Sequence, residues 1–282
     1  MQNTSRDDRI LAETRWLAAL VIPFLLVAFG ILYFFPQDTG RLFAWKIQPG
    51  MSAMMLGAAY AGGIYFFCGV LLSKQWHRIK AGILPVTTFA TLLGIATILH
   101  WDRFNHSSLA FFAWASLYFT TPFLVLGVWF RNRVHDPLEP EPNDQELPGW
   151  LRLLIGLVGA FTLTLSILLF LSPTLMIGLW PWTLTPLTSR VMSAMFGLPG
   201  VVNLGIAFDR RWSAARTILQ SQRFSILLIL IAVARSWNDF QLSNLQTWLF
   251  IGGLSGLLVG ICVLTLWMET RIPGKAVDKQ IG

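Results

Sequence analysis

The sequence predicts an all-α, polytopic integral membrane protein with eight transmembrane helices, arranged as two tandem four-helix repeats. Three observations lead to this prediction. Of the 282 residues, 55% are hydrophobic and only 12% are charged, whereas about a quarter of the residues of a soluble domain are charged. The chain contains eight apolar stretches of roughly 20 residues, the length that crosses the hydrocarbon of a bilayer. Twelve of the thirteen tryptophans also form six pairs with separations of 134 to 138 residues.

The eight apolar stretches follow one another with short polar loops between them. They cover residues 16–35, 52–73, 83–101, 108–130, 150–171, 190–208, 219–237 and 248–268. The seventh is the weakest, because only residues 224–234 are continuously apolar and Gln220, Gln222 and Arg223 occupy its inner end. Amide and guanidinium groups are costly in hydrocarbon. We therefore expect the seventh helix to face protein rather than lipid.

The paired tryptophans indicate a tandem duplication. The pairs are Trp16 with Trp150, Trp45 with Trp182, Trp76 with Trp212, Trp101 with Trp237, Trp114 with Trp248, and Trp129 with Trp267. Between the copies, residues 136–148 contain five acidic residues and four prolines, a composition typical of an extended linker. The predicted repeats are therefore residues 1–135 and 149–282. Because four is an even number of helices, both repeats enter the membrane in the same direction, the parallel arrangement.

The basic residues predict the orientation of the chain. With both termini inside, sixteen Lys and Arg residues lie in inner loops and five in outer loops, which together account for all 21. This split follows the positive-inside rule and predicts cytoplasmic termini in a plasma or bacterial inner membrane, with membrane lipids as partners. The net charge of +7 is scattered, with no five-residue basic run, so a nucleic-acid partner is not indicated.

One outer loop contains residue types that bind transition metals. His100, Asp102 and His106 lie within seven residues after the third span, and imidazole and carboxylate groups suit such ions. The alternative is structural, with Asp102 as a helix cap and Arg103 or Arg235 as its ionic partner. The two cysteines lie in apolar segments without a CxxC motif and indicate neither a metal framework nor a redox pair.

A membrane-centre site is suggested by the sixth span, which contains Pro199 between two glycines and is followed by Asn203. Proline removes a backbone hydrogen bond, so we expect the helix to kink or open there. Interrupted helices in matching repeats point to a midplane site. The candidate cavity lies between the second and sixth spans and is lined by Tyr60, Tyr65, Pro199 and Asn203. Ordinary packing of Gly and Pro is the alternative.

Two further features have both a functional and a structural interpretation. Arg190 and Arg235, at the outer ends of the sixth and seventh spans, could attract an anion to a cavity between the halves, or could simply extend to the interface. Small residues are expected to bring helices close together. They are Gly57, Ala61, Gly62, Gly63 and Gly69 in the second span and Gly252, Gly253, Gly256 and Gly260 in the eighth.

No motif identifies a reaction, a substrate or a cofactor. The first hypothesis is a small-molecule transporter or permease-like protein with a site between the repeats. The second is a non-catalytic membrane subunit or scaffold that binds partner helices or lipids, and the third is an outer-face metal-binding membrane enzyme. The chain has no nucleotide-binding loop and no carboxylate at a span centre. ATP-driven transport by this chain alone is excluded, and proton-coupled pumping is disfavoured.

Overall fold

The structure, a computed structural model, describes residues 6–141 and 144–271. Within these ranges the protein is helical, and eight helices are long and apolar enough to span a membrane. The predicted number of spans is therefore confirmed. The hydrophobic length and composition of these helices make the chain an integral membrane protein.

Ten α-helices form in the described residues. They are α1 (Ala12–Phe34), α2 (Thr39–Leu42), α3 (Gly50–Leu72), α4 (Lys80–Leu99), α5 (Leu109–Asn132), α6 (Gly149–Leu171), α7 (Pro173–Leu179), α8 (Pro186–Phe208), α9 (Trp212–Arg235) and α10 (Leu245–Thr270). The short helices α2 and α7 lie in loops, and the other eight are the spans. We call α1–α5 the first half and α6–α10 the second half.

The weak seventh span is the full-length helix α9, which begins at Trp212, seven residues before the predicted start at Leu219. Two of its serines bond to α3. The Ser221 hydroxyl donates to the carbonyl of Gly62 at 2.7 Å, and the Ser225 hydroxyl donates to that of Ala58 at 2.9 Å. These bonds satisfy groups that would be costly in lipid. One side of this helix therefore faces protein, as expected, while Phe224, Leu227 and Ile231 on it are 39 to 45% exposed.

The spanning helices pack in matching pairs. Within the halves, α1 packs along α3 and α6 along α8, and between the halves, α4 packs along α8 and α3 along α9. Within an apolar 18-residue window of each span, 56% of the residues are buried in α3 and in α8, but only 17% are buried in α10. The centre of the bundle therefore consists of α3, α4, α8 and α9, and the other spans lie at its edge.

Glycines permit close helix contacts in α3 but not in α10. A Cβ atom built on each of the α3 glycines 57, 62, 63 and 69 would lie 2.9 to 3.2 Å from a neighbouring helix, as expected. The prediction for α10 is wrong, because its four glycines have no atom within 4 Å of such a Cβ. In the second half the close contact joins α6 and α8, where a Cβ on Gly200 would lie 2.9 Å from the backbone nitrogen of Leu163.

Helix α8 continues through Pro199 to Phe208 as one helix. The expected opening of the helix at this proline is therefore wrong. Next to this proline, α6 packs closely against the turn that contains Gly200.

The linker between the halves lies along one end of the bundle, which we call the linker face. Its described residues form no helix, as expected for an extended segment. It is nevertheless anchored to the bundle, which its composition did not indicate. Asp136 is 3% exposed and pairs with Arg211 and Lys80, and Leu147 is 2% exposed. Acidic residues that suggest a solvated linker are instead partners for basic residues at the helix ends.

Candidate functional site

A cavity of about 570 Å³ lies inside the membrane-spanning part of the bundle. All eight spanning helices contribute to its wall, so both halves are needed to form it. Most lining side chains are apolar, and examples are Phe66 of α3, Phe89 of α4, Ile155 of α6 and Leu257 of α10. Ligand sites of proteins usually have a volume of roughly 300 to 1,000 Å³ and mostly apolar walls. The size and lining of this cavity are those of a ligand site.

Two tyrosines of the first half form a polar pair in the wall. The hydroxyl oxygens of Tyr60 on α3 and Tyr118 on α5 are 2.7 Å apart, and both side chains are buried. The ring of Phe89 meets that of Tyr60 edge-on, with 6.2 Å between centroids. Each hydroxyl therefore has a partner within the protein and retains acceptor capacity for a ligand.

Two amides of the second half line the same cavity without hydrogen-bond partners. Asn203 of α8 is 7% exposed, and its side chain makes no hydrogen bond within the described part of the chain. Gln222 of α9 also lines the cavity, and its Nε2 is buried without a partner among the described residues. A buried amide without a partner costs roughly 1 to 3 kcal/mol in proteins. These donors are the groups that a bound molecule would satisfy.

The cavity opens sideways toward the lipid between α6 and α10. The exposed residues of its wall all belong to these two helices: Leu154 of α6, which is 51% exposed, and Gly253, Gly256 and Gly260 of α10. At the linker end of this opening the rings of Trp150 and Trp267 come together, with centroids 6.4 Å apart.

Three of the four residues predicted to form a membrane-centre site line this cavity together. They are Tyr60, Pro199 and Asn203. Tyr65 does not line it. Its side chain is 39% exposed, and its hydroxyl donates to the Gln220 side-chain oxygen at 3.2 Å.

The two outer arginines bind backbone carbonyls at helix ends. Arg190 donates from Nε to the Phe170 carbonyl oxygen of α6 at 3.2 Å, and its Nη1 lies 2.6 Å from Nε2 of His100. Arg235 donates to the Tyr33 carbonyl oxygen of α1 at 2.8 Å. Free carbonyls at a helix C-terminus attract cations. Neither arginine lines the cavity, so their geometry is structural and does not favour the predicted anion site.

The three predicted metal ligands do not converge. They are not among the described groups of His, Cys, Asp and Glu side chains close enough to share an ion. Burial and the neighbouring guanidinium lower the pKa of His100. Asp102 pairs with Arg103 at 3.2 Å with both side chains more than 70% exposed, and His106 stacks on Trp101. The contact between Asp102 and Arg103 agrees with the structural alternative.

Tyr118 and Gln222 line the cavity but were not predicted to do so. Tyr118 lies one turn before Pro122 in the fourth span, and neither residue was singled out from the sequence. Gln222 was recognised only as a polar group that needs protein around it. An uncharged amide that must be buried in a membrane helix is itself a pointer to a polar cavity wall.

Comparisons with known proteins do not assign a family. No protein-family model, no curated protein and no solved structure matches the chain. The geometry of the cavity is therefore the guide to function.

Proposed function

We propose that this protein is a permease-like binding protein for a membrane-dissolved molecule with an apolar body and a hydrogen-bonding group. The observation that carries the proposal is the cavity of about 570 Å³ that all eight spans line and that opens sideways between α6 and α10. A lateral opening suits a ligand that arrives from the bilayer. An aqueous solute would have to cross lipid to use it.

The chemistry of the wall supports this ligand class. Among the described residues, the lining contains no Asp, Glu, Lys, Arg or His side chain, so a charged solute would lose its hydration without gaining an ionic partner. The amides of Asn203 and Gln222 offer donors, and the pair Tyr60 and Tyr118 offers acceptor capacity. A lipid, quinone-like or isoprenoid molecule with a carbonyl or hydroxyl group matches these groups.

Two parallel tandem repeats, residues 1–135 and 149–282, are part of the proposal. The matching packing of α1 on α3 and of α6 on α8 supports them. The repeats are also supported by two matching hydrogen bonds from a backbone nitrogen to an aspartate side chain. His77 N donates to Asp8 Oδ1 at 3.0 Å, and Ser213 N donates to Asp144 Oδ1 at 3.0 Å. Both residues of the second contact lie 136 positions after those of the first. The cavity then lies between the two repeats.

The orientation of the chain is proposed from the same loops. The linker face carries Lys80, Arg78 and Arg211, which pair there with acidic residues of the linker. A face rich in Lys and Arg in short loops is the cytoplasmic one under the positive-inside rule. We therefore place both termini and the linker in the cytoplasm of a plasma or bacterial inner membrane.

A pair of adjacent glycines on α10 provides a matched test. Gly253 lines the cavity opening and Gly252 does not, and both have open space where a side chain would be placed. Gly253→Phe is expected to obstruct the opening, whereas Gly252→Phe adds the same side chain outside it. Native mass spectrometry after mild detergent extraction would measure the bound small molecule.

The expected result is one apolar molecule per chain in the wild type and in Gly252→Phe, and a reduced fraction bound in Gly253→Phe. Equal occupancy in the two variants would contradict entry through this opening. A wild-type protein that carries no small molecule, and that takes up none from vesicles doped with quinone or isoprenoid alcohol, would refute the binding function.

A non-catalytic subunit is the second candidate, favoured by one observation. Helix α10 is the least buried span, and a Cβ atom added to its glycines at positions 252, 253, 256 and 260 would have no atom of another element within 4 Å. Small residues on a membrane helix allow close approach of another helix. A partner protein in fixed stoichiometry in the same mass spectrum, with no small molecule, would favour this function.

A further inference from the structure

A histidine on the linker face is surrounded by carboxylates from separate parts of the chain. His77, just before α4, has a side chain only 2% exposed. Its Nδ1 contacts Oδ2 of Asp8, from the segment before α1, and its Nε2 lies 3.3 Å from Oε1 of Glu141, in the linker. Ligand atoms of these three residues all lie within 4.8 Å of one another. The fold thus brings together three residues of kinds that bind metals, from positions 8, 77 and 141.

Ser213, at the start of α9, completes the surroundings of the imidazole. Its hydroxyl oxygen is 3.0 Å from His77 Nε2 and donates its hydrogen to Asp144. Because that hydrogen is directed to Asp144, the serine presents a lone pair to the histidine. Both ring nitrogens of His77 therefore face oxygen atoms. The same contact argues against a nucleophilic serine, since the hydroxyl hydrogen is not directed at the base.

Carboxylates outnumber guanidinium groups around His77. Asp8, Glu141 and Asp144 lie close to it, and the arginine that pairs with them is Arg78, bound to Glu141 at 2.8 Å. Asp144 makes no ion pair within the described residues. A divalent cation would add positive charge to this cluster and would use the imidazole as a nitrogen ligand.

We propose that Asp8, His77 and Glu141 bind one divalent transition-metal ion on the linker face. One imidazole and two carboxylates form a donor set that suits Zn²⁺, Mn²⁺ or Fe²⁺. Ligand bonds of roughly 2.1 Å place donors about 3 to 4 Å apart. Because Asp8 contacts Nδ1 and Glu141 lies near Nε2, one carboxylate has to move to the ring nitrogen that binds the ion. Arg78 has to release Glu141, and its side chain is 43% exposed, so the exchange costs little.

The ion would join the segment before α1, the start of α4 and the linker. This role is independent of the membrane cavity. It adds a ligand to the linker face and predicts that metal raises the stability of the full chain, because an ion that binds the folded state stabilises it by mass action. The site differs from the outer-loop site suggested by sequence, which lies at the opposite ends of the helices.

The test uses the full-length, tag-free protein in detergent, treated with EDTA and then titrated with ZnCl₂ and, separately, MnCl₂ by calorimetry. We expect one ion per chain and an increase in Tm with the ion present. Glu141→Gln keeps the size of the side chain and removes a charged ligand, so affinity should fall at least tenfold. Glu139→Gln, at an exposed position of the same linker, is the matched control and should bind as the wild type does.

His77→Gln should also abolish binding. If this variant does not fold, Glu141→Gln decides the question by itself, since its side chain is 29% exposed and its loss need not disturb packing. Absence of saturable binding of both ions by the wild type would overturn the proposal. Equal affinities of Glu141→Gln and Glu139→Gln would do so as well.

Discussion

Asp136→Asn is expected to destabilise the protein, because this carboxylate joins the linker to both halves. Its Oδ1 accepts a hydrogen bond from Arg211 Nη1 at 2.9 Å, and its Oδ2 accepts from Lys80 Nζ at 2.8 Å. The residue is 3% exposed. Asparagine has nearly the same shape as the protonated acid, so the substitution removes the charge and leaves the packing in place.

The pKa of Asp136 gives the magnitude of the expected loss of stability. Burial raises the pKa, but the hydrogen bonds from Arg211 and Lys80 outweigh burial and lower it from 3.8 to about 2. At about 1.4 kcal/mol per unit, the ionised carboxylate contributes roughly 2 kcal/mol. Because the folded-state pKa is the lower one, this contribution is present above pH 4 and is lost as the pH falls through about 2. Asp209 still pairs with Lys80 and Arg211 in the variant, so neither cation is left unpaired.

Thermal unfolding in detergent at pH 7, followed by circular dichroism, measures the effect. The Tm of Asp136→Asn should fall by several degrees. Asp102→Asn is the matched control, because Asp102 and its partner Arg103 are 77% and 71% exposed and an exposed pair contributes little. Wild-type Tm should also decrease between pH 4 and pH 2 by more than that of Asp136→Asn. Equal Tm values for the two asparagine variants at pH 7 would refute the reasoning.

Two further pairs of substitutions test packing through the same measurement. Trp182→Phe should lower the free energy of unfolding by about 1 kcal/mol more than Trp180→Phe. The reason is that the Trp182 indole donates to the buried Ser52 hydroxyl, whereas Trp180 Nε1 is buried without a partner in the described chain. Equal losses in the two variants would contradict this prediction. Gly200→Ala should cost roughly 1 to 3 kcal/mol, since its Cβ would meet the α6 backbone at 2.9 Å. Gly252→Ala, in open space, should be neutral or stabilising; the reverse order would exclude the α6–α8 contact.

The spans were predictable because hydrophobic length is a local property. Eight apolar stretches correspond to eight helices. The start of α9 was not, since its first turn contains polar residues such as Ser213, whose partner Asp144 lies in the linker. A linear sequence does not contain that pairing. The anchoring of the linker was missed for the same reason, because Arg211 follows Asp136 by 75 positions.

The membrane site was predicted only in part, because a sequence does not state which side of a helix faces inward. Tyr60 and Tyr65 are five residues apart, and at 100° per residue their side chains point about 140° apart. One lines the cavity and the other lies at the surface. His100 and Asp102 are neighbours in sequence that do not share ligand geometry, whereas Asp8 and His77 meet through the fold.

The centre of this protein contains an interface between its two halves. Helices α3 and α4 of the first half pack on α9 and α8 of the second, so each half would expose much of its most buried surface if it were alone. The linker raises the local concentration of one half near the other, and the helix contacts supply the affinity. Two separately produced polypeptides, divided within residues 136–148, should therefore reassemble in one membrane. The covalent chain thus guarantees an association that the helix contacts already favour.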